Sequence, residues 1–245
     1  MTPGGPPQQP LDPVPAAASA RPVRMGRRVF LGMVAVGAGG VVFGTEVQKI
    51  IGNALGSALS FLPGGDRFRI YTITGSYPSV SREKYELQVS GLVHRPLSLS
   101  LDDIESMPST KLVKNFQCVT GWRVPEVHWE GVKLSDVLDA AGLQPGAGAV
   151  EFDSYDGADT ESLTLYQARL PDVIVAYRML GAPVTTEHGG PVRLYVAPMY
   201  GYKSLKWLRS IRVVEQAEPG YWERNGYPVD AWIGGTEESG NQAAA

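Results

Sequence analysis

Residues 66–233 alternate short strand patterns with short helix patterns, and this alternation constrains the fold more than any other feature of the sequence. Strand patterns, recognised by β-branched residues or by alternating apolar and polar residues, cover 85–93, 111–118, 149–155, 173–177, 192–196 and 207–214. Apolar residues at helical spacing predict short helices over 99–105, 134–142 and 164–169. A regular strand–helix–strand rhythm is missing, which disfavours a doubly wound parallel sheet. We therefore predict one strand-rich α+β domain over residues 66–235.

The charge balance and the residue inventory exclude several classes of site. With 22 Lys and Arg against 25 Asp and Glu, the net charge of −3 argues against a nucleic-acid partner, which requires a clustered basic surplus. The single cysteine excludes an intramolecular disulfide and a zinc site built on paired cysteines. The strings HExxH, GxxxxGK[ST] and GxSxG do not occur, so the common hydrolase and nucleotide-binding interpretations lose their usual support.

The ends of the chain have a different composition from the domain. Residues 1–24 are rich in Pro, Ala, Gly and Gln, and we predict that they and the tail at 236–245 are disordered. In residues 25–62, Arg27 and Arg28 precede an uncharged run over 29–43, which is typical of export signals. The arginine pair before Val-Phe-Leu resembles the twin-arginine signal, although Gly26 and Gly32 replace its usual flanking residues.

This signal predicts export by the twin-arginine translocation machinery, to the periplasm or to the outer face of the cytoplasmic membrane. The alternative is a buried N-terminal helix that carries two surface arginines. Cleavage of the segment and its retention as a membrane anchor both stay open. The apolar run is shorter than the about 20 residues of a full span, and the small residues at 54–59 come late for a cleavage site.

Cys118 is the residue on which the functional interpretation depends. It ends an apolar strand pattern and enters a turn that contains Gly121, where backbone can approach a bound group closely. A thiolate is a soft ligand suited to a transition metal, and Arg123 nearby could hold an oxyanion through its planar fork. The alternative is that Cys118 is a small buried hydrophobic residue without a ligand.

A series of segments then gives the sequence a family resemblance. In order they are 115–122 (NFQCVTGW), 129–138 (WEGVKLSDVL), 175–184 (VAYRMLGAPV), 187–194 (EHGGPVRL), 198–208 (PMYGYKSLKWL), 220–227 (GYWERNGY) and 230–232 (DAW). Together they resemble the molybdopterin-binding domain of the sulfite oxidase family, which includes sulfite oxidases and the periplasmic methionine-sulfoxide reductase catalytic subunit. The resemblance covers about residues 70–235 and implies that family's strand-rich molybdopterin-binding fold.

The resemblance also implies roles for individual residues. Cys118 matches the cysteine whose sulfur ligates molybdenum, and we take Cys118 and Arg123 as the candidate catalytic residues. The positions that match or lie close to molybdopterin contacts are Thr74, His188, Arg193, Lys203, Ser204, Leu205 and Lys206. Family members of this type bind one molybdopterin without an attached nucleotide, so the implied cofactors are molybdenum and nucleotide-free molybdopterin.

The chemistry of the implied phosphate loop agrees with this assignment. A pterin phosphate is dianionic and requires convergent donors, and residues 201–206 offer two ammonium groups, a hydroxyl and backbone N–H groups. Arg193 adds a planar guanidinium. The alternative for the two lysines is a solvated strand edge, where lysines discourage pairing with another strand.

Asp159 departs from the pattern of the sulfite oxidases. Many of them have an active-site tyrosine a few residues before an apolar stretch like 162–165, and here Asp159 stands at that place, with Tyr155 four residues earlier. A carboxylate would repel an anionic substrate such as sulfite. The sequence also ends soon after residue 232, without the C-terminal dimerisation domain of sulfite oxidases.

The predicted function is two-electron oxygen-atom transfer on a small sulfite- or sulfoxide-type substrate by an exported molybdenum oxidoreductase. The sequence has no haem or flavin motif, so electrons would pass to or from a separate cytochrome of b or c type. Two alternatives are a binding module that keeps the fold without the cofactor, and a membrane-tethered structural subunit of a redox complex. Substitution of Cys118 separates the first alternative from the enzyme, and co-purification with a cytochrome in the absence of molybdenum would favour the second.

Overall fold

Short strands paired into one mixed sheet and one antiparallel sheet form the framework of the computed structural model, which describes residues 68–245. The strands are β1 (Glu86–Gly91), β2 (Leu97–Ser100), β3 (Ser109–Gln117), β4 (Arg123–Lys133), β5 (Ala149–Ser154), β6 (Thr160–Thr164), β7 (Val173–Met179), β8 (Ala182–Pro183), β9 (Arg193–Val196) and β10 (Leu208–Val214). The predictions made for residues 1–24 and 25–62 lie outside the described residues.

The helices are short and sit between strands or after the last strand. They are α1 (Leu101–Ser106), α2 (Leu134–Ala141), α3 (Leu165–Ala168), α4 (Tyr221–Arg224) and α5 (Glu237–Ala244). Single turns of 3-10 helix cover Arg82–Lys84, Thr186–His188, Gly201–Lys203 and Ile233–Gly235. No helix in residues 68–245 is both long enough and apolar enough to span a membrane.

The first sheet has the strand order β2-β1-β10-β5-β6, and the second has the order β3-β4-β7-β8, with β9 also paired to β7. Within the first sheet β1 and β10 run parallel, and the other pairs in both sheets are antiparallel. This mixture of antiparallel meanders with short helices confirms the predicted α+β class.

Local sequence explains where the helices begin and end. Ser100 begins α1 as an N-cap, because its hydroxyl accepts from the Asp103 amide and the Asp103 carboxylate accepts from the Ser100 amide. Along α2 the buried residues Leu134, Val137 and Leu138 follow helical spacing, and Gly142 ends the helix with a φ of 71°. All six strand predictions are confirmed within a few residues of their bounds, whereas β2, β4, β6 and β8 were not predicted.

Two hydrophobic clusters fill the domain. The larger lies between the sheets and α2 and is mostly aliphatic, with Leu87, Leu138 and Ile211 fully buried. The smaller is aromatic and lies on the second sheet, where the Trp129 and Tyr195 rings stack with their centroids 4.3 Å apart. Phe116 stacks on the same Tyr195 ring at 6.4 Å, so this sheet presents a rigid aromatic surface.

The C-terminal residues correct the prediction of a disordered tail over 236–245. Thr236 caps α5 through a capping box with Ser239, and Ala244 is fully buried in the aromatic cluster. The Asn115 side-chain amide on β3 donates to the Ala243 carbonyl at 2.9 Å. The helix was not predicted because its sequence is mostly small and polar and has no apolar stripe. Its stability comes from the cap and from docking on the rest of the domain.

Substitution of Thr236 tests the cap of α5. Thr236→Ala removes the hydroxyl that accepts from the Ser239 amide, and we expect the helix to lose about 1 kcal/mol. Amide hydrogen exchange over residues 239–244 should accelerate, whereas the exposed Gln242→Ala control should leave it unchanged or slower. Equal exchange in wild type and Thr236→Ala would show that the cap does not hold the helix.

Candidate active site

One cavity of about 230 Å³ opens where five separate segments converge above the aromatic cluster. The segments are 68–73, the β3–β4 turn, the β5–β6 turn, the 187–188 turn before β9 and the loop over 201–207. Its wall also includes Trp222 and Tyr227, from α4 and the residues after it. Of the predicted site residues, Cys118, His188, Arg193, Ser204 and Lys206 line this cavity, although they are up to 88 positions apart in sequence.

Cys118 sits in the tight turn that joins β3 to β4. The turn is closed by the Cys118 amide, which donates to the Trp122 carbonyl at 2.9 Å, and by the Gly121 amide, which donates to the Cys118 carbonyl at 3.0 Å. Gly121 has a φ of 93°, which explains why glycine is required in this turn. The half-buried thiol lies 3.2 Å from the Thr120 hydroxyl and faces the cavity.

Arg193 supplies a buried positive charge to the cavity wall. Its guanidinium donates to the carbonyls of His188 at 2.6 Å and Ser204 at 2.7 Å, so it ties together the two loops that flank β9. Burial lowers the pKa of Arg193 to about 10, which still leaves the group charged at neutral pH. No carboxylate within 4.0 Å neutralises it among the described residues.

Lys206 places a second cation beside Arg193. Burial and, after it, repulsion from Arg193 lower the pKa of Lys206 to about 8. Its ammonium donates to the Tyr71 carbonyl and lies 4.3 Å from the centre of the Trp207 ring. Because the two cations destabilise each other's charge, an anion bound between them would be stabilised by both.

His188 and Ser204 add neutral donors next to these cations. Burial and the charge of Arg193 lower the pKa of His188 below its ordinary value of 6.5, so its imidazole is neutral at pH 7. The Ser204 hydroxyl oxygen accepts from the Val196 amide at 3.0 Å, which leaves its own O–H free to donate to another group. The predicted cofactor positions in this loop therefore converge as donors.

Two carboxyl groups enter the cavity from the β5–β6 turn. One oxygen of Asp156 accepts from the amides of Ala158 at 2.9 Å and Asp159 at 3.0 Å, which fixes the turn. The second Asp156 oxygen and one oxygen of Asp159 are buried without a hydrogen-bond partner among the described residues. Desolvation and repulsion from Asp156 raise the pKa of Asp159 to about 7.

Residues 68–73 close one side of the cavity and overlap the N-terminal segment that the family resemblance implied for cofactor contact. The Phe68 ring contacts the rings of Phe116 at 5.3 Å, Trp122 at 6.2 Å and His188 at 4.9 Å. Thr74, the predicted contact in this part of the chain, is exposed, bonds to Ser76 and does not line the cavity. The prediction therefore chose the right segment but a residue beyond its cavity-lining part.

Arg123 does not reach the cavity, and its predicted catalytic role is wrong. Successive residues of a strand point to opposite faces. Trp122 is 9% exposed and lines the cavity, whereas Arg123, the first residue of β4, faces solvent. Arg193 and Lys206 are instead cations that line the cavity.

Lys203 is also not available to a ligand, which corrects its prediction as a phosphate contact. Its ammonium is 1% exposed and donates to a carboxylate oxygen of Glu161 and, at 2.6 Å, to one of Glu223. Burial raises the pKa of Glu161 well above its ordinary value. The three groups form a buried ion-pair triad behind the cavity wall. Leu205 packs its side chain into the larger core, so any ligand contact of Leu205 has to come from its backbone.

The residues present fit the implied cofactor by their donors and by their unsatisfied groups. A dianionic phosphate matches the neighbouring Arg193 and Lys206 charges and the free Ser204 O–H. Within residues 68–245, Trp122 Nε1, Asp156 Oδ2 and Asp159 Oδ1 are buried without partners, and all three residues line the cavity. An apolar ligand would leave these three atoms unpaired, whereas a heterocycle with both donors and acceptors, together with a polar substrate beside it, can satisfy them.

Similarity to known proteins agrees with the site. The family model described as oxidoreductase molybdopterin binding domain matches residues 74–222, which is more than half of the chain. An uncharacterized oxidoreductase, YuiH, of Bacillus subtilis (strain 168) is 38% identical over 151 residues, covering 61% of this chain and 76% of that protein. The sulfite oxidase of Arabidopsis thaliana is 32% identical over 190 residues, covering 63% of this chain and 48% of that enzyme.

A solved structure is similar in fold. The sulfane dehydrogenase SoxCD from Paracoccus pantotrophus superposes with a TM-score of 0.55 at 22% sequence identity, over 62% of this chain and 46% of that one. The chain thus spans about half the length of the plant sulfite oxidase and about a third of the rat mitochondrial sulfite oxidase, to which it is 31% identical.

Substitution of Lys203 tests its structural role in the triad. Lys203→Met leaves Glu161 and Glu223 buried without their cation, and we expect the free energy of unfolding at pH 7 to fall by about 3–5 kcal/mol in urea titrations. The loss should shrink at lower pH, because the buried carboxylates then become neutral by taking up protons.

The exposed Lys111 is the matched control for this substitution. Its side chain is 77% exposed and lies 4.0 Å from Glu130, so Lys111→Met should change stability by less than about 1 kcal/mol. A Lys203→Met protein that kept wild-type stability but lost bound cofactor would restore the rejected phosphate-binding role.

Proposed function

The chain belongs to the sulfite oxidase family of molybdopterin-binding oxidoreductases, and we propose that it catalyses two-electron oxygen-atom transfer on a small sulfur- or oxygen-containing substrate. The observation that carries this proposal is the position of the Cys118 thiol and of the Arg193 and Lys206 charges on one cavity. A soft ligand beside an anion-binding cradle is the combination that a metal held by a phosphorylated pterin requires.

Cys118, in this proposal, ligates molybdenum as a thiolate, and its turn fixes the direction from which the sulfur approaches. Arg193, Lys206 and Ser204 hold the terminal phosphate, while neutral His188 can donate to the pterin or accept from it. When bound, the cofactor supplies the two-electron redox change of the metal. The chain's own contribution is to orient the substrate and to keep water away with the aromatic rings of Phe68, Trp122 and Trp222.

We propose the nucleotide-free form of the cofactor because few cations are enclosed in the cavity wall. Behind the cavity wall the ammonium of Lys203 is already neutralised by Glu161 and Glu223. Of the three cations that line the cavity, Arg193 is buried and Lys206 half-buried, whereas Arg69 is exposed, and two enclosed cations suit a single phosphate better than a pyrophosphate. Pterin and nucleotide analysis of the purified protein tests this form.

A sulfite- or sulfoxide-type substrate is supported by the small cavity and by the polar atoms that face it. The electron route is proposed from the sequence, which lacks haem and flavin motifs. A separate cytochrome of b or c type would exchange electrons with the site one at a time.

The proposed location is the periplasm or the outer face of the cytoplasmic membrane. The protein would reach it through the twin-arginine machinery, with the N-terminal segment cleaved or kept as an anchor.

Metal analysis and substitution of Cys118 test the proposed chemistry. Protein expressed in a host that makes molybdopterin should contain about one molybdenum per chain. In Cys118→Ser we expect turnover of sulfite or of a sulfoxide, with an artificial electron carrier, to fall at least about 100-fold, because substitutions outside the ligand shell alone cost about 10–100-fold. A metal-free wild type that is folded would refute the proposal and favour a binding module, whereas a Cys118→Ser protein with unchanged turnover would refute Cys118 as the metal ligand.

Substitution of the arginine pair tests the proposed export. Replacing Arg27 and Arg28 together with lysine keeps the charge but removes the signal that the translocation receptor would read. We expect the full-length variant to accumulate in the cytoplasm with its cofactor bound, and the wild type to fractionate with the periplasm or the membrane. Arg21→Lys, which lies outside the pair, is the matched control and should fractionate like the wild type.

A further inference from the structure

We propose that Asp159 is the residue that donates a hydrogen bond and a proton to the substrate oxygen, and that it makes the site selective for uncharged oxides over oxyanions. This inference rests on the proposed function, because it needs a substrate bound beside Cys118. It assigns a chemical role to Asp159, which stands where many family members have an active-site tyrosine, and it names the charge class of the substrate.

The geometry of Asp159 points to a ligand rather than to a structural role. Its side chain is 8% exposed, it lines the same cavity as Cys118, and one carboxyl oxygen has no hydrogen-bond partner among the described residues. The backbone holds it in place, because its amide donates to Asp156 at 3.0 Å and its carbonyl accepts from Ser154 at 3.1 Å. A buried carboxyl oxygen held by a rigid turn costs stability unless something in the cavity pairs with it.

The charges around Asp159 come from every element that faces it. Asp156 on its own turn and Glu223 on α4 repel its negative charge, while Lys206 in the loop after β9 and Arg193 on β9 attract it. Desolvation outweighs these charges and raises the pKa of Asp159 to about 7. Below pH 7 the group is therefore a neutral acid that can donate, and above pH 7 it becomes a carboxylate that can only accept.

A neutral acid in this position suits reduction of an uncharged oxide. For a sulfoxide the balanced change is R₂SO + 2H⁺ + 2e⁻ → R₂S + H₂O, in which sulfur is reduced and its oxygen leaves as water. Two equivalents of a reduced one-electron carrier of the cytochrome class supply the electrons. Asp159 gives one of the two protons to the oxygen, the second comes from solvent, and Asp159 recovers its own proton from solvent afterwards.

The same group disfavours an oxyanion. As pH rises through 7, the ionised Asp159 repels a bound anion across a cavity in which water screens poorly. An uncharged oxide suffers no such repulsion, although it loses the proton donor. Activity on a neutral oxide and inhibition by an anion should therefore both weaken above pH 7, for different reasons.

The test uses the purified holoenzyme and the variants Asp159→Asn and Asp153→Asn. Asp153 is the matched control, because it is an exposed carboxylate on β5 that accepts from the Ser210 hydroxyl at 2.7 Å. Each protein is assayed with dimethyl sulfoxide and a reduced artificial carrier from pH 5.5 to 9. For wild type and Asp153→Asn we expect kcat/KM to fall about tenfold per pH unit above pH 7. In Asp159→Asn this dependence should disappear, with kcat/KM at pH 6 lowered about 100-fold.

Two further readouts separate this role from others. Sulfate, which stays a dianion throughout this range, should inhibit Asp159→Asn about tenfold more strongly than wild type at pH 8.5, and Asp153→Asn like wild type. In infrared difference spectra between pH 6 and 9, the wild type should show loss of a protonated carboxyl band that Asp159→Asn lacks. The infrared measurement does not depend on turnover.

The outcomes distinguish failure of this inference from failure of the proposed function. A wild-type pH profile in Asp159→Asn, or the same infrared band in both proteins, would overturn the role of Asp159 while leaving a molybdenum enzyme in place. Loss of molybdenum and pterin from Asp159→Asn alone would also overturn it, since Asp159 would then bind the cofactor. A wild type without molybdenum would instead refute the proposed function, and the infrared band would then be the only part of the inference still standing.

Discussion

The arrangement of this site depends on a buried guanidinium that is paired with backbone carbonyls instead of carboxylates. Arg193 donates to His188 and Ser204, which lie on the two loops that flank its own strand, and it stacks over Phe116 and Trp129 at 5.7 and 5.5 Å. Carbonyl oxygens satisfy its N–H groups without cancelling its charge. One residue therefore both holds the loops in register and keeps the cavity positive.

The nearby Lys203 is in the opposite situation, because its buried charge is paired with carboxylates. The charge of Lys203 is paired with Glu161 and Glu223, whereas Lys206, three residues later, lies in the cavity wall with its pKa lowered by burial and, after it, by Arg193. Lys203 ends the single turn of helix over Gly201–Lys203 and is buried, whereas Lys206 follows this turn and lines the cavity. The cavity thus obtains its positive charge from a fixed arginine and from a lysine that an anion would stabilise, opposite a carboxyl group near its midpoint of titration.

The sequence was sufficient to predict the parts that depend on local pattern. The strand before Cys118, the glycine turn after it and the capped helices follow from alternation, spacing and capping chemistry. The sequence did not predict which side chains reach the cavity, because that depends on how distant segments pack together. Arg123 and Lys203 have the right charge for the site, but strand alternation turns Arg123 to solvent and two distant glutamates bind Lys203. Helix α5 has too weak a pattern to be predicted, because its stability comes from docking on β3.

The position of residues 68–73 bears on where the N-terminal boundary of this domain should be placed. Similarity to the family begins at residue 74, yet the preceding six residues form a wall of the cavity, through Phe68 on the aromatic rings and through the Tyr71 carbonyl that Lys206 binds. A fragment that begins at residue 74 would retain all ten strands but would lose the wall formed by residues 68–73, so bulk water would enter along that side. A boundary placed at the start of this similarity would therefore remove one wall of the pocket.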